Sequence, residues 1–500
     1  MKVKNMKEEN IFECRHQDKN ILGRLLILVF FWMAVKTGID CVGRDDTISI
    51  EVVKDVDIYG IDIIPDTDFN FYSFARTYEG IKESSYANFV QEIRDGRFIV
   101  AGERGKSSSG KYRPNMAIIK LSPSGDMLWQ KSYEGGEAFY INQTRDGGFI
   151  VGGWRHNDVS IKDGWVLKLN EEGNIEWQKV YYIDEYDPHY PHKKSLIEVN
   201  SVFEISDGGY IIAGRAEYYN FDHEYDYWFA KLNSSGDIEW LRTYEDGGQN
   251  YFTSIQGTKD GGYIISGTTF YIDSNYGSIL ILKVKANGDI DWQKSYYGGG
   301  ASSIQQTRDG GYILAGNTNS FGAGGQDIWI LKLRGDGNIE WQKTYGGSGL
   351  DHASSIQQTR DGGYVLVGTL ATSSDCGMNL WILKLEKNGD IEWDKIFVGS
   401  GHRAYIQQTS DEGYIVAWGT EPYGTDANDI WILKMKPDRT IDGRCEKNIT
   451  GIPYSVVDDT DISPDNTTIN SQNTDAVTKE VSLHSLNINL KVKDVCKSNN

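Results

Sequence analysis

Residues 303–345 read SIQQTRDGGYILAGNTNSFGAGGQDIWILKLRGDGNIEWQKTY, and this stretch decides the fold. It contains four short segments that are rich in β-branched and aromatic residues and have no helical period. Asp309-Gly310-Gly311 joins the first two segments as a tight turn, and Asp336-Gly337-Asn338 joins the last two. Four antiparallel strands in a unit of about 50 residues predict one blade of a β-propeller.

The same unit recurs along the chain. Related turn motifs begin at seven aspartates: Asp95, Asp146, Asp207, Asp260, Asp309, Asp361 and Asp411. In each copy the second and third segments are nearly continuous apolar runs, as expected for a sheet that packs against neighbours through both faces. The repeat therefore predicts an all-β fold, a seven-bladed β-propeller of four-stranded antiparallel blades.

The ring is predicted to close with strands from both ends of the repeat region. Six copies have a complete fourth segment, whereas the seventh ends in residues 440–443 without a tryptophan. Residues 71–80 match the missing end of a fourth segment. We expect this N-terminal strand to complete the seventh blade, because closure removes the exposed edges of an open ring. The predicted propeller domain is 71–445.

The flanking regions differ from the repeats. Residues 1–45 combine a basic leader with the apolar run 25–35, which suits a signal peptide or signal anchor and is short for a membrane span. Residues 46–70 are interpreted as an acidic linker. Residues 446–500 form a mostly irregular Ser/Thr/Asn-rich tail with one or two strands, in which Asn448 and Asn466 are candidate glycosylation sites. A secreted or cell-surface anchored protein is expected, touching the membrane only through an uncleaved N-terminal segment.

Charge and cysteine spacing exclude several classes of protein. The formal net charge of −20 repels phosphate backbones, so no nucleic-acid partner is expected. The five cysteines form no CxxC or CxxCH motif, which excludes simple zinc-ribbon and c-type haem patterns. No Ser-His-Asp motif, phosphate loop or nicotinamide fingerprint is present. No cofactor is predicted, and a bound metal ion is left open.

The run from the third segment to the fourth carries a family resemblance. It reads SGDMLW at 124–129 and SGDIEW at 235–240, with a constant spacing from Gly to Trp. This pattern resembles the repeat of quinoprotein-like (PQQ-like) β-propellers and is similar to uncharacterised prokaryotic surface proteins built from this repeat. The family's Asp, four residues before the Gly, is replaced by Leu121 and Leu232. The resemblance therefore implies the fold and carries over no quinone site.

Strand order divides the connections between two faces. The tight turns share one face, here called the turn face, and the longer second-to-third-strand and blade-to-blade connections share the other, the loop face. Loops on a rigid frame commonly carry function, so a ligand is expected on the loop face. The candidate ligand-binding residues lie in the long connections of blades 2 and 3: Tyr186, His189, Tyr190, His192, Tyr218, Tyr219, Asp222, His223 and Tyr225.

Two chemistries suit those residues. His189, His192 and His223 are candidate metal ligands, and the tyrosine faces are candidate stacking platforms for a saccharide. A self-packed polar loop cluster is the alternative. The glutamines of the first strands, such as Gln305 and Gln306, are expected to line the channel and hold ordered water. A lysine in every third strand is expected to pair with an acidic residue of the fourth.

These observations favour a non-catalytic extracellular binding or interaction propeller that acts as a scaffold for a surface protein or a polysaccharide. Two alternatives stay open at this point. One is an enzyme, either carbohydrate-active or a degraded quinoprotein; a sugar hydrolase would need paired carboxylates on the loop face. The other is a purely structural component of a surface layer or an adhesin.

Overall fold

The computed structural model divides the chain into two compact units, Met1–Asn70 and Phe71–Asn500. The structure describes residues 41–44, 47–50, 72–79, 84–108, 111–156, 162–183, 196–218, 224–245, 248–270, 277–371, 378–397, 401, 403–420, 429–441 and five short segments of the tail. In the first unit, β1 (Cys41–Arg44) pairs antiparallel with β2 (Thr47–Ile50). The predicted signal segment and most of the predicted linker lie outside the described residues.

The second unit is a ring of seven four-stranded antiparallel sheets, which confirms the predicted fold. Its first strand is β3 (Phe74–Glu79). Blades 1 to 3 are formed by β4 (Ser84–Glu92), β5 (Phe98–Ser108), β6 (Lys111–Leu121), β7 (Met127–Tyr133), β8 (Gly136–Gln143), β9 (Phe149–His156), β10 (Lys162–Leu169), β11 (Ile175–Ile183), β12 (Leu196–Glu204), β13 (Tyr210–Tyr218), β14 (Glu224–Leu232) and β15 (Ile238–Glu245).

The remaining blades follow the same order from the centre outward. Blades 4 to 6 are formed by β16 (Gln249–Gly257), β17 (Tyr263–Phe270), β18 (Ser278–Val284), β19 (Ile290–Tyr297), β20 (Gly299–Gln306), β21 (Tyr312–Thr318), β22 (Asp327–Leu333), β23 (Ile339–Gly346), β24 (His352–Gln358), β25 (Tyr364–Ala371), β26 (Met378–Leu385) and β27 (Ile391–Phe397). Blade 7 consists of β28 (Ala404–Gln408), β29 (Tyr414–Thr420), β30 (Asp429–Met435) and β3, so the predicted closure by an N-terminal strand is confirmed.

The C-terminal tail contributes more strand than its sequence predicts. It contains five short strands: β31 (Ser455–Asp458), β32 (Asn470–Gln472), β33 (Ala476–Glu480), β34 (Ser485–Leu486) and β35 (Lys491–Asp494). They pair antiparallel with the outer strands of blades 5, 3, 2, 1 and 7, in that order. An outer edge offers unpaired backbone groups to an extended segment of almost any sequence, so composition does not reveal such strands.

Bulky side chains of the fourth strands fill the space between blades. In blade 4, Trp292 lies beneath the turn of blade 5, where a β-carbon on Gly337 would come within 2.8 Å of the indole ring. Gly337 also has a positive φ of 79°, so both the turn and the close approach require glycine. The hydroxyl of Tyr345 in blade 5 donates to the carbonyl of Gly389 in blade 6 at 2.5 Å. Equivalent contacts repeat at most junctions.

The third-strand lysines tie the strands of a blade together. Lys332 is buried, and its Nζ donates to Asp309 Oδ2 at 3.0 Å, to Glu340 Oε2 at 3.2 Å and to the Leu333 carbonyl at 3.2 Å. The predicted pairing with the fourth strand is confirmed in blades 2, 3, 5 and 6, whereas Lys120 of blade 1 pairs with Glu171 of blade 2. The turn aspartate is a second partner, although the sequence predicted for it a role in turn geometry alone. In blade 4 the Lys283 ammonium and the Thr258 hydroxyl lower the pKa of Asp260 to about 2.

The carbonyl oxygens of the inner glutamines join neighbouring blades. Between blades 5 and 6, Gln305 Oε1 accepts from the Gln358 amide at 2.6 Å, and Gln358 Oε1 accepts from the Arg308 amide at 2.9 Å. We call this reciprocal pair the inner clasp. It recurs between blades 1 and 2, 4 and 5, 6 and 7, and, with Glu92 as the second acceptor, 7 and 1. The expectation of amides that bind mainly water is corrected accordingly.

Two junctions depart from this pattern. Between blades 2 and 3 one half of the clasp is present, in which the Arg145 amide donates to Glu204 Oε2 at 2.7 Å, and between blades 3 and 4 both halves are missing among the described residues. Phe203 of blade 3 and Gly257 of blade 4 occupy the two acceptor positions. Within the described residues, no side-chain hydrogen bond joins the turn ends of these two inner strands. Phe203 instead packs near Tyr263, with the ring centroids 6.1 Å apart. Blades 3 and 4 are therefore joined there by apolar packing.

The turn aspartates can be tested by a matched pair of substitutions in blade 5. Asp309→Ala removes one of three partners of the buried Lys332, so we expect a loss of about 1–2 kcal/mol in the free energy of unfolding. Asp336→Ala removes an exposed aspartate from the other turn of the same blade and should cost less. Chemical denaturation of both variants measures the difference. Equal losses would show that Asp309 acts only through turn geometry.

Candidate functional site

The inner strands begin at the loop face, and one register position there differs in charge and size from blade to blade. This position lies in or just before the inner strand of each blade. It immediately precedes the buried inner-strand residue that pairs with the middle of the second strand. We call its occupants the rim residues: Tyr86, Glu137, Glu198, Tyr251, Gly300, His352 and Arg403. Charged or aromatic side chains therefore occupy the rim from blade 7 through blade 4.

A cavity of about 260 Å³ lies at the rim where blades 7, 1 and 2 meet. Polar side chains from three blades line it: Tyr86, Asn88, Glu103, Glu137 and Arg403. On the blade 7 side the wall is formed by Gly401 and Gly419, which have no side chains to fill the space. The cavity thus opens on the face that was predicted to bind a ligand, but none of the described residues that line it is a predicted ligand residue.

Glu137 is the central acidic group of this cavity. Its Oε1 accepts from Asn88 Nδ2 at 2.9 Å, and its Oε2 accepts from Trp154 Nε1 at 3.0 Å. The Arg403 guanidinium is 3.5 Å from Oε1, and its side chain remains 67% exposed. Burial raises the pKa of the Glu137 carboxyl, and Arg403 and Asn88 lower it only in part. A mostly buried carboxyl is therefore incompletely compensated beside an open cavity.

A row of alternating charges and rings runs from Glu137 along the loop face. Lys162 Nζ lies 4.3 Å from the centroid of the Trp154 ring and donates to Glu198 Oε1 at 2.8 Å. Glu198 Oε2 accepts from Arg215 at 3.0 Å. Arg215 lies over the ring of Tyr225, 5.4 Å from its centroid. These charges neutralise one another, so this row is best explained as a brace between blades 2 and 3.

Of the predicted site residues, Tyr225 is the one whose side chain is described. It stacks on Tyr251 with ring centroids 5.0 Å apart, at the end of this row. Tyr218 lies in β13, opposite Glu224, and only its backbone is described. The other predicted ligand residues lie outside the described residues: Tyr186, His189, Tyr190, His192, Tyr219, Asp222 and His223. The candidate glycosylation sites Asn448 and Asn466 also lie outside them.

Among the described residues, no group of three or more His, Cys, Asp or Glu side chains is arranged to hold a metal ion. The metal site predicted from His189, His192 and His223 falls outside that set and stays a prediction. Within the same part of the chain, no helix has the length and hydrophobicity needed to cross a membrane.

Comparison with known proteins adds little. No protein-family model matches the chain, and no curated protein matches it. Among solved structures, the chain is similar to one described as "Structure of Dos1 propeller", with a TM-score of 0.39 and 10% identity over 74% of this chain and 91% of that chain. A likeness at this TM-score carries no argument. The seven-bladed ring itself suggests a binding or scaffold role, and the resemblance to quinoprotein-like repeats stays a prediction.

The sequence analysis missed Asn88, Glu137 and Arg403. A signal was present, because the rim position changes in charge and size from blade to blade while the strands around it repeat. A position that varies within a regular repeat is free of the packing that the repeat requires. However, the meeting of blade 7 with blades 1 and 2 depends on ring closure, so the three residues share no sequence neighbourhood.

The unusual pKa of Glu137 predicts a pH-dependent effect of Glu137→Gln. A carboxyl whose pKa is raised in the folded state destabilises the folded protein when it ionises. The free energy of unfolding therefore falls as the pH rises from the carboxyl's pKa in the unfolded chain through its pKa in the folded protein. The variant should therefore match the wild type near pH 4 and become the more stable of the two as the pH rises. Thermal unfolding across this range measures the difference. The exposed Glu134→Gln variant controls for the loss of one negative charge, and an identical profile for the two variants would contradict the prediction.

Proposed function

We propose that this protein is a non-catalytic binding propeller that is secreted or anchored at the cell surface and binds a saccharide of a surface polysaccharide at the rim cavity. The observation that carries the proposal is the buried Glu137 carboxyl beside the exposed Arg403 guanidinium. A propeller that served only as a structural disc would gain nothing from an incompletely compensated carboxyl at an open cavity.

The turn face offers a poorer site, which supports placing the ligand on the loop face. A second cavity of about 310 Å³ at the turn face is lined by side chains that include Gln91, Glu92 and Gln143. Their side-chain oxygens already accept hydrogen bonds from backbone amides of neighbouring blades. A ligand there would compete with the inner clasp and so with the closure of the ring.

The chemistry of the rim cavity favours a ligand rich in hydroxyl groups. A hydroxyl both donates and accepts hydrogen bonds. Glu103 and Glu137 supply acceptors, Arg403 supplies donors, and the Tyr86 hydroxyl can supply either. The Asn88 amide adds an acceptor oxygen, since its nitrogen already donates to Glu137 and Ala138. Planar carboxylate and guanidinium groups each accommodate two neighbouring hydroxyls, and the tyrosine adds an apolar ring face. A sugar combines these needs in a compact molecule.

Binding can be tested with a glycan array followed by calorimetry on the best ligand. Glu137→Gln and Arg403→Met should each weaken binding about tenfold or more, because each removes a charged hydrogen-bonding partner. Glu198→Gln is the matched control, since this glutamate holds the same rim position in blade 3 and lies outside the cavity. Equal affinity in all four proteins would refute this site. Cleavage of a bound oligosaccharide would refute the non-catalytic part of the proposal.

The location is supported by the basic leader and the short apolar run 25–35. If the propeller faces the outside, protease added to intact cells should cleave it while a cytoplasmic marker protein stays intact. Immunoblotting of cells and medium measures this. Protection of the propeller until the cells are lysed would contradict a secreted or surface location.

A further inference from the structure

The connections between blades 5 and 6 bring together two buried carboxyl groups, far along the chain from the rim cavity. Asp327 is the first residue of β22, and Asp351 directly precedes β24. Their exposed fractions are 1% and 0%. Aspartate is rarely buried to this degree unless it is paired or coordinates a metal ion.

Both carboxyl groups are directed at the same point in space. A β-carbon on Gly346 would lie within 2.6 Å of both Asp327 Oδ1 and Asp351 Oδ2. Because each oxygen lies within 2.6 Å of this one β-carbon position, the two oxygens are at most 5.2 Å apart. Glycine at position 346 leaves room for this approach, whereas any side chain would occupy it.

The hydrogen bonds of the two groups leave one oxygen without a partner. Asp351 accepts from the Gly347 amide at 2.7 Å and from the Ala371 amide at 2.9 Å. Asp327 Oδ2 accepts from the Ala323 amide at 2.9 Å. Asp327 Oδ1 is buried and accepts no hydrogen bond from a described residue. Nor does any described lysine, arginine or histidine form an ion pair with either aspartate.

Two carboxylates so close together in a buried site require a positive charge between them. We propose that Asp327 Oδ1 and Asp351 Oδ2 bind a calcium ion at the junction of blades 5 and 6. Calcium takes oxygen ligands in flexible geometry, including backbone carbonyls, whereas magnesium keeps most of its water. The two aspartates lie in glycine-rich connections, FGAGGQD at 321–327 and GGSGLD at 346–351.

The other blades show why this junction is special. At the position of Asp327, blades 1, 4 and 6 have Asn115, Ser278 and Asn379. Aspartate recurs at this position in blades 2, 3 and 7, as Asp163, Asp226 and Asp429. In the connections that follow these blades, however, the position that matches Asp351 holds Ile197, Asn250 and Ser85, respectively. The calcium ion would tie the loop-face connections of blades 5 and 6 together, a role that does not depend on the proposed saccharide site.

The test is calcium titration of the full chain by calorimetry after treatment with EDTA. The wild type should bind one more calcium ion per chain than Asp327→Asn. Asp163→Asn, the matched control in blade 2, should bind as many ions as the wild type. Calcium should raise the melting temperature of the wild type and of the control more than that of Asp327→Asn. Asn379 shows that a blade accommodates asparagine at this position.

Equal calcium stoichiometry in the wild type and Asp327→Asn would overturn the proposal and leave a shared proton as the charge between the carboxyls. Native mass spectrometry of the wild type offers a readout that needs no variant. It should show calcium retained after dialysis against magnesium, and a metal-free mass under calcium saturation would equally overturn the proposal. Asp351→Asn should reproduce the loss seen in Asp327→Asn.

Discussion

The structure depends on hydrogen bonds that backbone amides of one blade donate to side-chain carbonyls of the neighbouring blade. In the inner clasp, Gln358 accepts from the Arg308 amide while Gln305 accepts from Gln358. The amides at this end of an inner strand face the neighbouring blade, so no strand of their own sheet can satisfy them, and an unpaired amide is costly. At the junctions that have the clasp, each blade is therefore completed by its neighbour, and the clasp between blades 7 and 1 supports the closure of the ring through β3.

The repeat motif serves this architecture rather than a ligand. The turn aspartate caps its own turn and also holds the buried third-strand lysine, as in Asp309 and Lys332. The glycine of the other turn, between the third and fourth strands, leaves room for the fourth-strand tryptophan of the preceding blade. Because these side chains are engaged with one another, the turn face has little left to offer a partner. The loop face is less constrained, and its rim position differs from blade to blade.

The sequence predicted the repeated parts well for a physical reason. Strand alternation, turn chemistry and apolar runs act over a few residues, and seven copies make the pattern unmistakable. Contacts between blades were harder to infer, since Glu137 meets Arg403 only after the ring has closed. The amide ring was recognised but assigned to water, because a strand pattern does not show which backbone amides lack a partner. The five tail strands were underestimated because backbone pairing leaves little trace in composition.

By itself, the sequence determined that the protein is a seven-bladed propeller whose last blade is completed by an N-terminal strand. It also determined which face has tight turns and which has long connections, since these follow from segment order. Only the tertiary structure placed Asn88, Glu137 and Arg403 around one cavity and directed Asp327 and Asp351 at Gly346. These groups come from different blades or from different connections, and their meeting depends on how complete blades pack, which no local sequence pattern encodes.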